Sequence, residues 1–327
     1  MLTFGSLWLK NHLPVNQDIY TAEEIHLLSH CTLCPRECGI DRFRGGDGYC
    51  GMDAGLNISS ICIHRGEEPP VSGPDGICNI FFSGCNLHCI YCQNHEISRA
   101  DAKSRAIFRS LLSVLDHVEH ILNSGIKAVG FVSPSHTVPQ VKAIIRGLDL
   151  RGIKPVTVYN TNSYDKPEVI DSLGGQIDVY LPDFKYVTPS ISEKYSDSND
   201  YPEVALKALK RMYYQKGSVL HTDDQGRAVS GMLIRHLVLP GHVDESKKVL
   251  RTIAEELSTG VHISLMSQYH PAADVKKHSV LNRSLYKDEY MDVVTEMERL
   301  GFRNGWLQDM DSCRNYRPDF SKEHPFE

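Results

Sequence analysis

Short apolar runs alternate with segments of helical periodicity along the chain from residue 77 onward. Six runs are strand-length, and most are rich in the Val, Ile or Phe of strands buried on both faces. They span residues 77–83, 126–132, 155–159, 177–181, 232–239 and 261–266. Between them, segments such as 202–215 and 244–257 carry their apolar side chains on one helical face. This alternation predicts βαβ units and a parallel sheet.

Polar segments follow four of these runs. Six units are fewer than a closed eight-fold barrel needs, so the pattern fits either a doubly wound sheet or an incomplete barrel. In both architectures, ligands bind at the carboxyl ends of the strands. We therefore predict one joint site formed by the polar segments 133–136, 160–162, 183–185 and 267–270.

The first 76 residues have a different pattern, without regular periodicity and punctuated by Gly and Pro. Within them, residues 67–74 are predicted to form a linker or a clamp loop. The chain therefore divides into an irregular N-terminal lobe and linker at 1–76, a core at 77–310 and a tail at 311–327.

Composition and charge narrow the class of protein. The formal net charge of -6 and the lack of a basic run give no reason to expect nucleic-acid binding. Residues 1–17 lack the pattern of a signal peptide, and no apolar stretch approaches membrane-spanning length, so we expect a cytoplasmic protein. Ten cysteines in that compartment indicate metal binding or chemistry rather than a disulfide framework.

Three cysteines follow the first apolar run directly. Cys85, Cys89 and Cys92 have the spacing C-x3-C-x2-C. Three thiolates on one loop can hold three irons of a cubane cluster, whereas a cluster used only for electron transfer usually has four protein ligands. The fourth iron would be open, as is usual for a metal that binds substrate. Two alternatives are a zinc site completed by His88 or His95, and a disulfide with one free thiol.

The loop 81–94, with Tyr91 directly before its last cysteine, resembles the signature of the radical S-adenosylmethionine (SAM) superfamily. The resemblance implies an enzyme with a partial (β/α)6 barrel of the TIM type, whose [4Fe–4S] cluster binds SAM at the open iron. It further implies a reductant such as flavodoxin or ferredoxin. The electron cleaves SAM to methionine and a 5′-deoxyadenosyl radical, which abstracts hydrogen from a substrate.

The chain also resembles one branch of that superfamily, the PflX-like branch related to pyruvate formate-lyase activating enzymes. The segments that carry this resemblance are 34–38, 82–87, 180–186, 237–241 and 266–269. It implies activation of a glycyl-radical enzyme or another modification of a protein partner. Two alternatives are radical chemistry on a small metabolite and, in a different class, a non-catalytic Fe–S or zinc protein that senses redox state.

The resemblance also implies positions that contact SAM. Many superfamily members carry a Gly-Gly-Glu-type segment after the second strand, but this chain has the segment 131–136, where Ser133 is the expected substitute. Asn160, Thr161, Asp183 and Lys185 occupy positions that contact SAM or a nearby cation in activating enzymes. Asn160 stands where an acidic residue is common.

A second cysteine set lies in the N-terminal lobe. Its spacing is C-x2-C-x3-C-x11-C, and its members are Cys31, Cys34, Cys38 and Cys50. Gly45, Gly46 and Gly48 would let the chain return the last cysteine to the others. Four thiolates close a coordination sphere, as structural zinc and an auxiliary [4Fe–4S] cluster both require. The set is either an electron relay or substrate anchor, or a staple for a lobe with few apolar residues.

The remaining candidates have ordinary interpretations. We expect the arginines beside the second set, Arg36, Arg42 and Arg44, to be solvated. We expect the other three cysteines, Cys62, Cys78 and Cys313, to be small buried hydrophobes. Three histidines that follow predicted strands, His136, His242 and His270, are expected to be core or surface residues.

Overall fold

The computed structural model describes residues 16–45, 48–99, 106–314, 318–322 and 325–326. Most of the segment 1–17, Gly46 and the side chain of Cys313 lie outside the described parts. In those parts the chain forms one mixed α/β unit around a nine-stranded sheet. No helix there is long and apolar enough to cross a lipid bilayer.

The sheet is mainly parallel and does not close. Its strands are β1 (Ile58–His64), β2 (Ile77–Phe82), β3 (Ala128–Val132), β4 (Val156–Thr161), β5 (Val179–Pro182), β6 (His221–Thr222), β7 (Ala228–Leu237), β8 (His262–Met266) and β9 (Gly305–Leu307). They run in the order β1-β2-β3-β4-β5-β7-β8-β9, with β6 paired to β7. The six predicted runs are β2, β3, β4, β5, β7 and β8, which all pair in parallel. The predicted partial barrel with an N-terminal cysteine-rich lobe is therefore confirmed.

Ten α-helices lie along the described chain. They are α1 (Ala22–Ser29), α2 (Pro69–Ser72), α3 (His95–Ser98), α4 (Leu111–Asn123), α5 (Val138–Leu150), α6 (Pro167–Asp171), α7 (Pro189–Ser196), α8 (Tyr201–Lys216), α9 (Val243–Glu256) and α10 (Lys287–Arg299). Of these, α3 to α10 connect the parallel strands. The predicted helical segments 202–215 and 244–257 correspond to α8 and α9. Their apolar faces are buried, with Leu209, Leu250 and Ile253 fully enclosed in the main core.

The N-terminal region contains more regular structure than its sequence pattern predicts. β1 pairs antiparallel with β2, and the linker at 67–74 contains the short helix α2. The sequence pattern did not predict β1, because two adjacent serines, Ser59 and Ser60, break its apolar run. Both are buried, and the Ser59 hydroxyl lies 2.5 Å from that of Ser83 beyond the end of β2.

Helix α2 helps to fill one end of the barrel. Its Val71 packs in a buried cluster with Ile77, Val158 and Val179, whose positions are near the starts or middles of their strands. The open volume therefore lies toward the carboxyl ends of the strands. The residues just before α2, Glu67 and Glu68, reach that volume.

The last described segment adds an aromatic wall to the barrel. Phe320 and Phe326 pack on Phe81 of β2, with ring centroids 5.4 and 5.5 Å away. Phe326 also lies 4.1 Å from the ring of His64 in β1. In the chain this segment follows β9, which forms one edge of the sheet. It packs beside β1 and β2 at the other edge.

Two leucine variants test the packing of the helices on the sheet. Leu250→Ala removes a fully buried side chain and is expected to lower the free energy of unfolding by about 2–5 kcal/mol. Leu150→Ala is the same change at a helical position that is 90% exposed, and its effect should stay within about 0.5 kcal/mol. Urea unfolding of anaerobically prepared protein measures both. Equal losses in the two variants would contradict this packing.

Candidate active site

A cavity of about 640 Å³ opens at the carboxyl ends of the parallel strands. The thiols of Cys85, Cys89 and Cys92 line it. Five predicted cofactor-contact residues also line it, namely Tyr91, Ser133, Asn160, Asp183 and Lys185. Neither His88 nor His95 is among the lining residues, and the His88 ring stacks on Tyr49 at 4.0 Å. The polar strand ends therefore do converge on one site.

The cysteine loop leaves β2 through a backbone position that requires glycine. Gly84 has a φ of 75°, in the left-handed region. A Cβ atom there would stand 2.5 Å from the Cys50 carbonyl oxygen, so the two peptide segments are in direct contact. The loop is held further by hydrogen bonds from the Gly84 N–H to the Ile97 carbonyl (2.7 Å) and from the Ile90 N–H to the Tyr195 carbonyl (2.9 Å).

Each of the three sulfur atoms has a hydrogen-bonding neighbour. The Asn162 amide and the Leu87 N–H each approach the Cys85 sulfur at 3.4 Å. The Ser98 hydroxyl donates to the Cys92 sulfur at 3.3 Å. Cys89 lies 3.0 Å from the Ser196 hydroxyl, which in turn is 2.9 Å from the Tyr186 hydroxyl. Such contacts orient metal ligands and stabilise charge on thiolate sulfur.

Two of these thiols, Cys85 and Cys89, stay protonated in the protein alone. Burial raises the pKa of Cys85 to about 12 and also raises that of Cys89. A bound metal would reverse this because it holds sulfur as the thiolate. Among the described residues, no three His, Cys, Asp or Glu side chains are arranged to hold a single metal ion. A cubane cluster separates its thiolates by its irons, so its ligands line a cavity, as these cysteines do.

Tyr91 continues from the cysteine loop into the interior. Its hydroxyl shares a short hydrogen bond with the hydroxyl of Tyr186. Burial raises the pKa of both tyrosines well above the ordinary value. The two phenols therefore stay neutral, and they connect through Ser196 to the Cys89 sulfur.

A part-buried network of charges lies beside the cysteines. Lys185 Nζ is 2.6 Å from Asp183 Oδ2, and Arg235 Nη2 is 2.8 Å from Asp183 Oδ1. Arg235 also donates to Asn160 Oδ1 at 2.6 Å and reaches Glu67 Oε2 at 3.3 Å. Burial alone would raise the pKa of Asp183, but the cations of Arg235 and Lys185 hold it below its ordinary value.

Arg235 and Glu67 are site residues that the sequence analysis did not identify. Arg235 is a lone charge inside the apolar run 232–239, and a charge in a strand buried on both faces is a usable signal. Glu67 gave no such signal because it lies in a Gly- and Pro-rich linker. Its neighbour Glu68 is also buried in the lining, where burial raises the pKa of its carboxyl.

Two residues predicted to contact SAM, Ser133 and Thr161, differ from the others in backbone conformation or in position. Ser133 adopts a φ of 53°, a conformation that costs energy for a residue with a side chain and that clusters at functional sites. Thr161 is not among the cavity-lining residues. Its hydroxyl lies 2.5 Å from Asp165 Oδ2 and 2.9 Å from the Ser135 hydroxyl, in a fully buried network.

The four N-terminal cysteines line a second, small cavity. Helix α1 ends just before Cys31, whose N–H bonds to the Ile40 carbonyl at 2.9 Å. A Cβ atom on Gly48 would stand 3.2 Å from the Cys38 sulfur, so the glycine lets the returning chain approach that thiol. The Tyr49 N–H then donates to the same sulfur at 3.3 Å. The topology thus brings together all four predicted ligands of the second set.

The expectation that Arg42 is solvated is wrong. This side chain is only 1% exposed and lines the N-terminal cavity. Its guanidinium donates to the backbone carbonyls of His136 (2.7 Å) and Asp53 (2.9 Å). Although burial opposes its charge, the thiols of Cys50 and Cys31 lead the neighbours that raise its pKa. By contrast, the Arg44 side chain is 88% exposed, as expected.

The remaining candidates are mostly structural. Cys62 and Cys78 are buried, as predicted for small apolar residues. His136 is also buried, and its Nε2 lies 2.8 Å from the Ser83 carbonyl at the edge of the N-terminal cavity. His242 contacts the Tyr195 hydroxyl at 2.8 Å. None of these side chains lines the larger cavity.

Several known proteins are similar to this chain. The uncharacterized protein MJ0674 of Methanocaldococcus jannaschii is 29% identical over 269 residues, covering 81% of this chain and 73% of that protein. SuiB of Streptococcus suis matches with 10% identity and a TM-score of 0.45, over 69% of this chain and 47% of SuiB. The chain thus spans about half of that protein.

A third match is a domain of the pyruvate-formate lyase-activating enzyme from Bacteroides vulgatus, with 15% identity and a TM-score of 0.37. It covers 53% of this chain and 93% of that domain. The sequence model of the radical SAM superfamily matches residues 79–253, which include the cysteine loop and β2 to β7. Because this match extends over more than half of the chain, the protein belongs to the radical SAM superfamily.

Proposed function

We propose that this protein reductively cleaves SAM at a [4Fe–4S] cluster held by Cys85, Cys89 and Cys92. The supporting observation is that these three thiols of one loop line the cavity at the carboxyl ends of the parallel strands. When bound, the cluster supplies the electron that splits SAM into methionine and a 5′-deoxyadenosyl radical, which takes hydrogen from the substrate. The protein supplies the ligands, their orientation and a site of low water content.

The surroundings of the thiols fit this role. A thiolate that ligates iron keeps partial negative charge, and hydrogen bonds to it help to set the reduction potential of a cluster. Asn162, Ser98 and Ser196 provide such contacts to the three sulfur atoms. Lys185 adds a cation close enough to Cys89 to act on the charge of its thiolate.

The charge network suits the groups of SAM. SAM carries a carboxylate, an ammonium and a sulfonium, so its site needs both a cation and acceptors. We assign the SAM contacts to Tyr91, Ser133, Asn160, Asp183 and Lys185, which share the cavity with the cysteines. Thr161 lies behind these residues and supports them without contacting SAM, because its hydroxyl hydrogen-bonds to Asp165.

Arg235 holds the acceptors of this site in place. Its guanidinium contacts Asn160 of β4, Asp183 directly after β5 and Glu67 of the linker. A carboxylate fixed by a buried cation does not reorganise when a ligand arrives, which favours precise positioning. Arg235 is therefore a positioning residue in this proposal.

The substrate is proposed to be a residue of a peptide or protein partner, in keeping with the resemblance of the chain to activating enzymes. A small metabolite is the second candidate. The observation that favours it is that polar side chains not assigned to SAM, such as Gln268 and Gln308, also line this cavity. Phe326, which packs on Phe81, lines another part of it.

SAM cleavage is tested with anaerobically reconstituted protein, dithionite and SAM. The expected product is 5′-deoxyadenosine, measured by chromatography. Cys89→Ala should reduce its formation to the background without protein, because one iron loses its ligand. Cys62→Ala is the matched control, since Cys62 is a buried thiol that lines neither cavity. A fully loaded protein that releases no 5′-deoxyadenosine would refute the proposal.

The charge network is tested through stability. Arg235→Met leaves Asp183 and Glu67, whose side chains are only 15% and 10% exposed, without their shared cation, which should cost up to about 3–5 kcal/mol in the free energy of unfolding. The control is Arg211→Met, which breaks a surface ion pair with Asp171 and should cost at most about 1 kcal/mol. Urea unfolding measures both variants. A loss of similar size in both would mean that Arg235 is not pairing buried charges.

The partner class is tested by genetic context and spectroscopy. A gene for a glycyl-radical enzyme beside this one would support the activating role. Its purified product, incubated with loaded enzyme, SAM and reductant, should then gain an organic radical signal in electron paramagnetic resonance (EPR). If that signal does not form although 5′-deoxyadenosine does, the activating role fails and the cleavage activity stands.

A further inference from the structure

A buried cation, the guanidinium of Arg42, lies among the N-terminal cysteines, and its charge needs a balancing negative charge. The Arg42 guanidinium is almost fully enclosed, and its described hydrogen bonds end on backbone carbonyls. Carbonyl dipoles solvate a cation but do not neutralise it, and an uncompensated buried charge is costly. The Arg42 guanidinium lines the same small cavity as all four cysteines of this set. A centre of four thiolates around a metal would carry the negative charge that balances it.

The same cysteine set is in contact with the loop that carries the other three. The Cys50 carbonyl oxygen touches Gly84, the residue just before Cys85. Arg36, between Cys34 and Cys38 in the chain, donates from Nε to the Asn86 carbonyl at 3.0 Å. Asn86 itself lines the N-terminal cavity. A ligand loop of each set thus packs directly on a ligand loop of the other.

Aromatic rings add a second connection between the sets. The Tyr49 N–H bonds to the Cys38 sulfur, and the Tyr49 ring stacks on His88 at 4.0 Å. His88 precedes Cys89 in the catalytic loop. On its other face, the Tyr49 ring carries the Arg36 guanidinium at 3.7 Å from the centroid. This contact fixes the ring that bridges the two loops.

We propose that Cys31, Cys34, Cys38 and Cys50 hold a [4Fe–4S] cluster that relays electrons to the SAM-cleaving cluster. Electron tunnelling falls steeply with distance, and the contact of Cys50 with Gly84 gives a path of a few covalent bonds and one van der Waals step. A zinc staple has no redox chemistry and would stabilise the lobe without this contact. The proposal rests on the proposed function, because a relay needs that acceptor.

The transfer is a one-electron step at each stage. A low-potential donor protein of the flavodoxin or ferredoxin class loses one electron, and the N-terminal cluster is reduced by it. The reoxidation of that cluster reduces the cluster at Cys85, Cys89 and Cys92. Arg42 stabilises the more negative, reduced state of the relay and so raises its reduction potential.

The wild-type protein gives the first test. After anaerobic reconstitution, we expect about eight irons per chain, four for each cubane, and no zinc. Dithionite reduction should yield two EPR-active clusters per chain whose signals are broadened by spin–spin interaction, because the two ligand loops are in contact. One equivalent of zinc, or a single isolated cluster spin per chain, would overturn the relay.

Two variants give the second test. Cys34→Ala should lose about half of the iron and the donor-driven cleavage of SAM, while dithionite-driven cleavage, which bypasses the relay, is retained. Arg42→Met should keep both clusters but lower the potential of one in a redox titration followed by EPR. Cys62→Ala should leave iron content and both rates unchanged. Donor-driven cleavage at the wild-type rate in Cys34→Ala overturns the relay, whereas failure of dithionite-driven cleavage in wild type refutes the proposed function itself.

Discussion

A charge removed from water must meet an opposite charge nearby, and much of this site follows from that constraint. Arg235 meets it with the carboxylates of Asp183 and Glu67. That pairing draws the linker before α2 into the barrel and fixes the acceptors at the strand ends. Arg42 is instead enclosed by backbone carbonyls and by the four N-terminal cysteines. The two arginines therefore mark two differently lined centres, one with carboxylates and one with sulfur.

One close approach places these centres side by side. At Gly84 the chain turns from β2 into the cysteine loop, and the absence of a side chain there admits the carbonyl of Cys50. The N-terminal lobe is consequently not an appendage beside the barrel. It forms part of the wall behind the loop that carries Cys85, Cys89 and Cys92.

The periodicity of the sequence predicted the six parallel strands and α8 and α9, because strands buried on both faces and amphipathic helices have distinct patterns. The spacing of the cysteines predicted both thiol sets. β1 was missed because serines interrupt it, and those serines are satisfied only by tertiary contacts such as that of Ser59 with Ser83. Glu67 was missed for a similar reason. Its partner Arg235 is 168 residues away, and no local pattern records a pairing over that separation.

The aromatic wall has a consequence for the order of assembly. Ribosomes make the chain from its N-terminus, so all seven clustered cysteines and every strand of the barrel precede Phe320 and Phe326. Phe326 lines the cavity, so that part of its lining is absent until this residue docks on Phe81. A barrel whose two phenylalanines have not yet settled on Phe81 is open on that side. Formation of the sheet and closure of this side are therefore separable steps, because the strands and the aromatic wall come from different parts of the sequence.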